Sequence, residues 1–140
     1  MADATNQLRV RLVTPERTLF EHAADAVELP AKSGYMEVLY GHAPLVAELG
    51  AGDVTLHGGP DGDQRYNVSW GFAEVLPDRV TILASDALKP EEIDVPRAQQ
   101  QLDRGQEEWK KAGDSAEAYA KALHVIAEAE AKLASAAEKH

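Results

Sequence analysis

The chain has 140 residues, with 24 acidic and 14 basic side chains and a formal net charge of −10. Such a charge repels the phosphate backbone of nucleic acids and anionic lipid surfaces, so we expect neither as a partner. Cysteine is absent, which excludes disulfides and cysteine-ligated metal sites. No apolar run approaches the roughly 20 residues of a membrane helix, and the first residues lack the pattern of a signal peptide. We therefore expect no direct membrane insertion and a reducing cytoplasmic environment.

The first part of the chain consists of short apolar stretches separated by turn residues. Alternating apolar and polar residues, interrupted by glycine and proline, are typical of half-buried strands. The predicted strands are residues 8–14, 26–29, 38–40, 45–47, 53–57, 65–70, 72–76 and 79–83. Because no helical period separates them, they indicate an antiparallel β-sandwich or barrel, which we place at residues 1–88.

After Pro90 the apolar period becomes that of a helix. Asp94 is the expected N-cap of this helix, and Gly113 suits a left-handed stop at its end. We interpret Trp109 as a core residue on the apolar face. At spacings of three and four residues, that face contains Val95, Ala98, Leu102, Gly105 and Trp109.

A second helical period follows Gly113, and Asp114 with Glu117 is its predicted capping pair. Alanine, which favours helix but buries little apolar area, fills much of this segment. The larger periodic positions are Tyr119, Leu123, Ile126, Glu130, Leu133 and Ala137. We predict an antiparallel two-helix hairpin over residues 89–140 that is marginally stable alone and that a partner can rearrange. The fold class is thus α+β, a sandwich followed by a helical hairpin.

The usual catalytic and metal-binding signatures are missing. The chain has no nucleophile elbow, Walker sequence or dinucleotide fingerprint, and no two histidines stand at metal-ligand spacing. Residues 61–63, Asp-Gly-Asp, predict a hairpin turn rather than a calcium loop. His42 lies in a Gly-His-Ala-Pro turn, and we interpret it as a contact residue bonded to the backbone. We therefore predict neither a catalytic residue nor a metal site.

Four segments in order carry a family resemblance: residues 13–20, 33–45, 71–84 and 93–98. They include Gly-His-Ala-Pro-Leu at 41–45 and Ile-Asp-Val-Pro-Arg-Ala at 93–98. In this order and spacing, and in total length, the chain resembles the epsilon subunits of bacterial F-type ATP synthases. The resemblance implies a β-sandwich at the foot of the central stalk, bound to the gamma subunit and to the c ring.

The resemblance also implies a hairpin that folds down on the sandwich or extends along gamma into the alpha/beta catalytic hexamer, where it inhibits ATP hydrolysis. Such a subunit performs no bond chemistry and is not an enzyme. It belongs to a proton-transporting complex, as a peripheral component on the cytoplasmic face of the bacterial plasma membrane.

Residue by residue, the resemblance assigns contacts with the c ring and gamma to a predicted turn and to His42 near the same end. The turn residues are Ser33, Gly34, Tyr35 and Met36. At the hairpin turn, the resemblance implies an inhibitory contact with an acidic segment of a beta subunit, through Trp109, Lys110 and Lys111.

Some family members bind ATP through the motif at residues 93–98, which here supplies Ile93, Asp94 and Arg97. Other expected residues differ, because Leu88 replaces an acidic residue, and Glu128 and Lys132 stand at two arginine positions. Without those guanidinium groups the bidentate phosphate contacts are lost, so we expect weak ATP binding or none, and no cofactor.

Two further departures concern the turn before His42, where Glu37 and Tyr40 replace a glycine and a proline of the family pattern. These changes place the local loop geometry in question. Residues 94–140 carry 7 basic and 9 acidic side chains, a charge of −2, which predicts mild electrostatic inhibition.

Two alternative functions come from the residues alone. One is a free-standing binding module, in which a sandwich and a helical clamp hold a peptide or small ligand. The other is a small hydrolase or metal enzyme whose site is assembled by folding, which ranks last because no nucleophile stands beside a base.

Overall fold

The computed structural model describes residues 6–138. The chain forms two compact units, one up to Leu88 and a second from Lys89 onward. The first unit contains the strands and the second the helices, which confirms the predicted α+β class. Among the residues described, no helix is long and apolar enough to cross a membrane.

Seven strands form one folded sheet in the order β2-β1-β7-β6-β5-β3-β4. All neighbours pair antiparallel except β1 and β7, which are parallel, so the sheet is mixed rather than wholly antiparallel. The strands are β1 (Leu8–Val13), β2 (Thr18–Ala24), β3 (Ala26–Ala31), β4 (Gly34–Leu39), β5 (Leu45–Gly59), β6 (Gly62–Leu76) and β7 (Arg79–Leu88).

The long strands β5 and β6 bend where the sheet folds into two layers. The inward-facing positions change from odd to even numbers at Gly50 and Ala51 on β5, and back to odd at Trp70 and Gly71 on β6. Such a change of phase requires an irregular residue pair, and Trp70 and Gly71 have φ values of 57° and 135°. A Cβ on Gly71 would overlap the carbonyl oxygen of Leu83, so glycine is required at this corner.

Large aliphatic side chains fill the space between the layers. Alternation along β1, which buries Leu8, Val10 and Leu12, gives the pattern that the sequence predicts for a half-buried strand. The largest side chains with less than 2% exposure are Leu8, Leu12, Leu29, Leu49, Leu56, Ile82, Val10, Val27, Val38, Val54, Val68 and Val75. Their burial is the main source of the sandwich's stability.

The helical unit begins with a short 3₁₀ turn at Pro90–Glu92 and continues as α1 (Val95–Lys111) and α2 (Ala116–Ala137). As predicted, Asp94 caps α1, since its Oδ1 accepts the Arg97 N–H at 3.1 Å. Gly113 lies in the left-handed region with φ of 56°. The predicted cap of α2 was wrong, because the Oγ of Ser115, not Asp114, accepts the Ala118 N–H at 3.1 Å.

Small residues, not large ones, form the buried face of the hairpin. A Cβ on Gly105 would lie 2.9 Å from the Cγ1 of Ile126, so α1 and α2 approach closely there. Val95, Trp109, Tyr119 and Leu123 are exposed, which corrects the predicted apolar faces. Close helix approach displaces bulky side chains to the margins of the contact. The small buried residues are Ala98 and Gly105 on α1, Ala112 at its C-cap, and Ala122, Ala129 and Ser135 on α2.

Candidate functional site

The β3–β4 hairpin turns at Lys32 and Ser33, and the structure places Tyr35 and Met36 on strand β4 rather than in the turn. Successive strand residues point to opposite faces, so Tyr35 is 63% exposed while Met36 packs against the core. The Tyr35 hydroxyl accepts the Asp53 N–H at 3.0 Å. This bond fixes the tyrosine ring over the sheet surface, with Ser33 and Gly34 exposed beside it.

His42 follows the other end of β4. Its N–H donates to the carbonyl of Leu39 at 3.1 Å, and its Nδ1 donates to the carbonyl of Ala43 at 2.7 Å. The backbone bonds expected for His42 are therefore present. A strand of six residues, about 3.3 Å each, separates His42 from Gly34, so the two predicted contact regions do not share one end.

Glu37 and Tyr40, which depart from the family pattern, cause no backbone distortion. Glu37 lies within β4 and is exposed, and Tyr40 is 45% exposed in the turn that follows. Within residues 6–138, Trp70 is the only non-glycine residue with a positive φ. The turn geometry is instead supported by Gly41, whose φ is 90° and whose N–H donates to the Pro77 carbonyl at 2.7 Å.

The turn end of the helical hairpin presents an aromatic pair. Trp109 is 43% exposed, so its interpretation as a core residue was wrong, and its ring centroid lies 6.0 Å from that of Tyr119. Lys110 and Lys111 are exposed next to it, and Lys111 forms a loose pair with Glu107 at 3.8 Å. This end of the hairpin therefore combines exposed apolar area with two ammonium groups.

The residues expected to contact a nucleotide are used within the hairpin itself. Ile93 is buried, and one carboxylate oxygen of Asp94 is occupied as the cap of α1. Lys132 pairs with Glu128 at 3.4 Å, at the two positions where arginine was expected. Across the described part of the chain, no group of three or more acidic, histidine or cysteine side chains could hold a metal ion.

The structure also reveals an exposed apolar stripe that the sequence reasoning missed. Phe72 on β6 pairs with Leu83 on β7, and Leu83 pairs with Val13 on β1, so these side chains share the outer face of one layer. Val46 on β5 is diagonal to Phe72 on the same face. Val46, Phe72 and Leu83 are 69%, 53% and 52% exposed. We call Val13, Val46, Phe72 and Leu83 the outer stripe.

Beside the outer stripe lies a shallow groove of about 320 Å³, lined in part by Val13, Pro15 and Leu83. The signal in the sequence was two pairs of adjacent apolar residues, Phe72-Ala73 on β6 and Ile82-Leu83 on β7. Adjacent strand residues face opposite sides, so each pair makes both faces of its strand apolar. A contiguous exposed apolar patch of this kind is typical of a surface that binds another protein. The exposed apolar patch on this fold is thus typical of a protein that binds other proteins.

Comparison with known proteins identifies the family. The family model described as "ATP synthase, Delta/Epsilon chain, beta-sandwich domain" matches residues 7–90. The ATP synthase epsilon chain of Solibacter usitatus is 43% identical over 136 residues, which cover 94% of this chain and 97% of that protein. The chain therefore belongs to the ATP synthase epsilon chain family, whose members are accessory rather than catalytic subunits.

Two solved structures share the fold. A chain in the mitochondrial ATP synthase of Euglena gracilis, described as an OSCP/F1/c-ring assembly, aligns with a TM-score of 0.78 and 22% identity, covering 96% of this chain and 82% of that one. A chain in the central stalk/c-ring assembly of Tetrahymena thermophila mitochondrial ATP synthase aligns with a TM-score of 0.66 and 13% identity, covering 92% and 96%. At these identities, the similarity concerns the fold.

Proposed function

We propose that this chain is the central-stalk subunit that couples the c ring and gamma to the alpha/beta catalytic hexamer of a proton-transporting ATP synthase, and that its hairpin restrains ATP hydrolysis. The observation that carries the proposal is the similarity to an epsilon chain over nearly the full length of both proteins. The proposal places the chain on the cytoplasmic face of a bacterial plasma membrane, attached through its partners.

The outer stripe is the surface we assign to the gamma subunit. Its three most exposed members, Val46, Phe72 and Leu83, are each more than half exposed, and they lie on three adjacent strands of a rigid sheet. Covering them with a partner removes apolar area from water without requiring the sheet to rearrange. Charged side chains such as Glu74, which lies opposite Val46, provide a polar rim.

The tip of the β3–β4 hairpin, with Ser33, Gly34 and Tyr35, is the surface we assign to the polar loops of the c ring. Its support is the fixed position of the Tyr35 ring, whose hydroxyl is held by the Asp53 N–H. His42 belongs to a separate contact, because the length of β4 lies between it and this tip. Met36 is excluded from the contact because it packs against the core.

The turn end of the hairpin is the surface we assign to the catalytic hexamer. Trp109 and Tyr119 provide aromatic area, and Lys110 and Lys111 provide positive charge for an acidic segment of a beta subunit. The hairpin carries little net charge of its own, so the restraint on hydrolysis is mild. ATP is at most a weak ligand, since Asp94 serves as a helix cap and Lys132 pairs with Glu128.

The proposal is tested by ATP hydrolysis in a catalytic complex depleted of its epsilon subunit. The complex is titrated with the full chain and with a chain ending at Glu92. We expect both to bind, and only the full chain to lower the rate. If both bind and neither lowers the rate, the subunit couples but does not restrain. If neither binds, the assignment to the complex is wrong, and a free-standing binding module becomes the better reading.

A further inference from the structure

His57, near the end of β5, lies between two carboxylates from different strands. Its Nε2 is 3.0 Å from Oε1 of Glu28 on β3, and its Nδ1 is 3.2 Å from Oδ2 of Asp63 on β6. We call these three residues the His57 cluster. The proposed function uses none of them. Asp63 reaches His57 across the β5–β6 hairpin, six residues along the chain, whereas Glu28 is 29 residues away and is brought to the ring by the pairing of β3 with β5.

Both contacts can be hydrogen bonds only if the His57 ring carries two protons. A neutral imidazole has one N–H, so its other nitrogen would direct a lone pair at a carboxylate oxygen. The hydrogen bond to Glu28, followed by the one to Asp63, raises the pKa of His57 above its ordinary value of 6.5. The hydrogen bond from the Gly58 N–H, followed by the one from His57, lowers the pKa of Asp63 below 3.8.

The His57 cluster lies where the regular backbone ladder is interrupted. The pairing register between β5 and β6 shifts between Leu56 and Gly59, and Gly58 has a φ of 71°. The Gly58 N–H donates to Oδ1 of Asp63 at 2.9 Å instead of to a strand carbonyl. At this end of the β5–β6 hairpin, hydrogen bonds to the Asp63 side chain therefore connect the two strands where regular backbone pairing is interrupted.

The other charged groups near His57 are mostly acidic. Across the sheet, Glu37 on β4 pairs with Glu28, and the Asp25 N–H donates to the His57 carbonyl at 2.8 Å. Asp53 on β5 is paired with Arg65 on β6 at 3.5 Å, so this arginine is already engaged. Other titratable groups that the structure describes at this end include Asp61 in the turn, the Asp25 carboxylate beside Gly58, and His22 on β2, whose ring lies close to Gly59. These surroundings favour the doubly protonated ring.

We propose that the His57 cluster is a proton-operated latch that joins β3, β5 and β6 at the end of the β5–β6 hairpin. When the ring loses a proton, it can donate to only one carboxylate, and the other contact is released. The contact with Asp63 is the longer of the two, so we expect it to be the one released, and the carboxylate that holds the Gly58 N–H then loses its own support. This goes beyond the proposed function, because it adds a pH response to the sandwich.

The direction of the response follows from the two shifts. Because the folded pKa of His57 is raised, its stabilisation is complete below about 6.5 and is lost as the pH rises through the folded pKa. Because the folded pKa of Asp63 is lowered, its contribution is present above 3.8 and is lost as the pH falls through the folded pKa. The latch is therefore complete at mildly acidic pH.

The first test is ¹⁵N NMR of the imidazole rings in the full chain, titrated with pH. We expect both ring nitrogens of His57 to be protonated at pH 6, and its titration to lie above that of an unfolded histidine. Glu28→Gln lowers the pKa of His57. The matched control, Glu37→Gln, removes a carboxylate from the same face without touching the ring. A His57 that titrates as in an unfolded chain, or equal responses to the two variants, would overturn the proposal.

The second test is hydrogen exchange at the Gly58 amide, corrected for the intrinsic pH dependence of exchange. Protection is expected to fall as the pH rises through the His57 titration, and His57→Gln is expected to abolish that step. The Tm difference between the parent and the variant is expected to be smaller at pH 8.5 than at pH 6, because a neutral ring keeps only one of its two contacts. If protection of the Gly58 amide does not change as His57 titrates, the cluster is not a latch. These readouts need no partner subunit, so they succeed or fail independently of the proposed function.

Discussion

The sandwich and the hairpin bury different kinds of side chain. Between the two layers of the sandwich are leucine, isoleucine and valine, whereas alanine and glycine form the buried face between α1 and α2. A fully buried Leu or Ile contributes about 1.5–3 kcal/mol, while an alanine methyl group contributes roughly 0.8 kcal/mol. The helices are therefore closely packed but bury little apolar area, which predicts that the hairpin unfolds at lower cost than the sandwich. The difference teaches that two units of one chain can differ in stability because of the size of the side chains that they bury.

The largest effect is expected from deleting a core side chain of the sandwich. Leu12→Ala removes a fully buried leucine from β1 and leaves a cavity, which costs about 2–5 kcal/mol of unfolding free energy. Chemical denaturation measures the loss. The same substitution at Leu123, which is 44% exposed on α2, is the control and costs far less. Equal losses would mean that the two units do not differ in this way.

The next effect is expected at the closest approach of the helices. Gly105→Val places a side chain where a Cβ would already lie 2.9 Å from Ile126 and 3.1 Å from Val125, and such overpacking costs about 1–3 kcal/mol. Melting followed by circular dichroism at 222 nm is expected to show an earlier loss of helix with the sandwich transition retained. Gln106→Val, at an exposed helix position, controls for the helix propensity of valine.

A comparable effect, on binding rather than stability, is expected at the outer stripe. Phe72→Ala removes its central aromatic side chain, and an interface anchor of this kind is worth about 2 kcal/mol, or roughly thirtyfold in Kd for gamma. Titration calorimetry measures the affinity. Glu74→Gln, two residues along the same strand face, is expected to change it little. Unchanged binding by the Phe72 variant would remove the stripe from the gamma interface.

The smallest effect is expected at the start of α2. Ser115→Ala removes the oxygen that accepts the Ala118 N–H and costs about 1 kcal/mol of helix stability. Asp114→Ala, which the sequence pattern marked as the cap, is expected to have almost no effect. The midpoints of helix melting compare the two variants, and a larger loss at Asp114 would contradict the capping geometry.

Local patterns predicted most of the elements. Alternation in residues 8–13 identified β1, and the three- and four-residue periods identified both helices, because each signal lies within a few residues. Strand β2 was missed since Thr18–Ala24 lies at a sheet edge and does not alternate. The parallel pairing of β1 with β7 was missed because it joins segments about 70 residues apart.

The candidate site was less predictable, because it too depends on pairing between segments that are distant in the sequence. Whether Tyr35 and Met36 face solvent or core depends on strand register, which no local pattern states. The faces of the hairpin were misassigned because the large residues suggested a core, while the helices meet through Ala98, Gly105 and Ala129. The His57 cluster needs three strands in register before it exists at all.

We expect the hairpin to open at lower free-energy cost than the sandwich. Native-state hydrogen exchange of the full chain measures this directly, residue by residue. We expect the amides of α1 and α2 to exchange through openings of distinctly smaller free energy than the amides of the inner strand β6. If helix and strand amides instead exchange with one common free energy, the chain opens as a single cooperative unit, and the predicted difference in stability between sandwich and hairpin is contradicted.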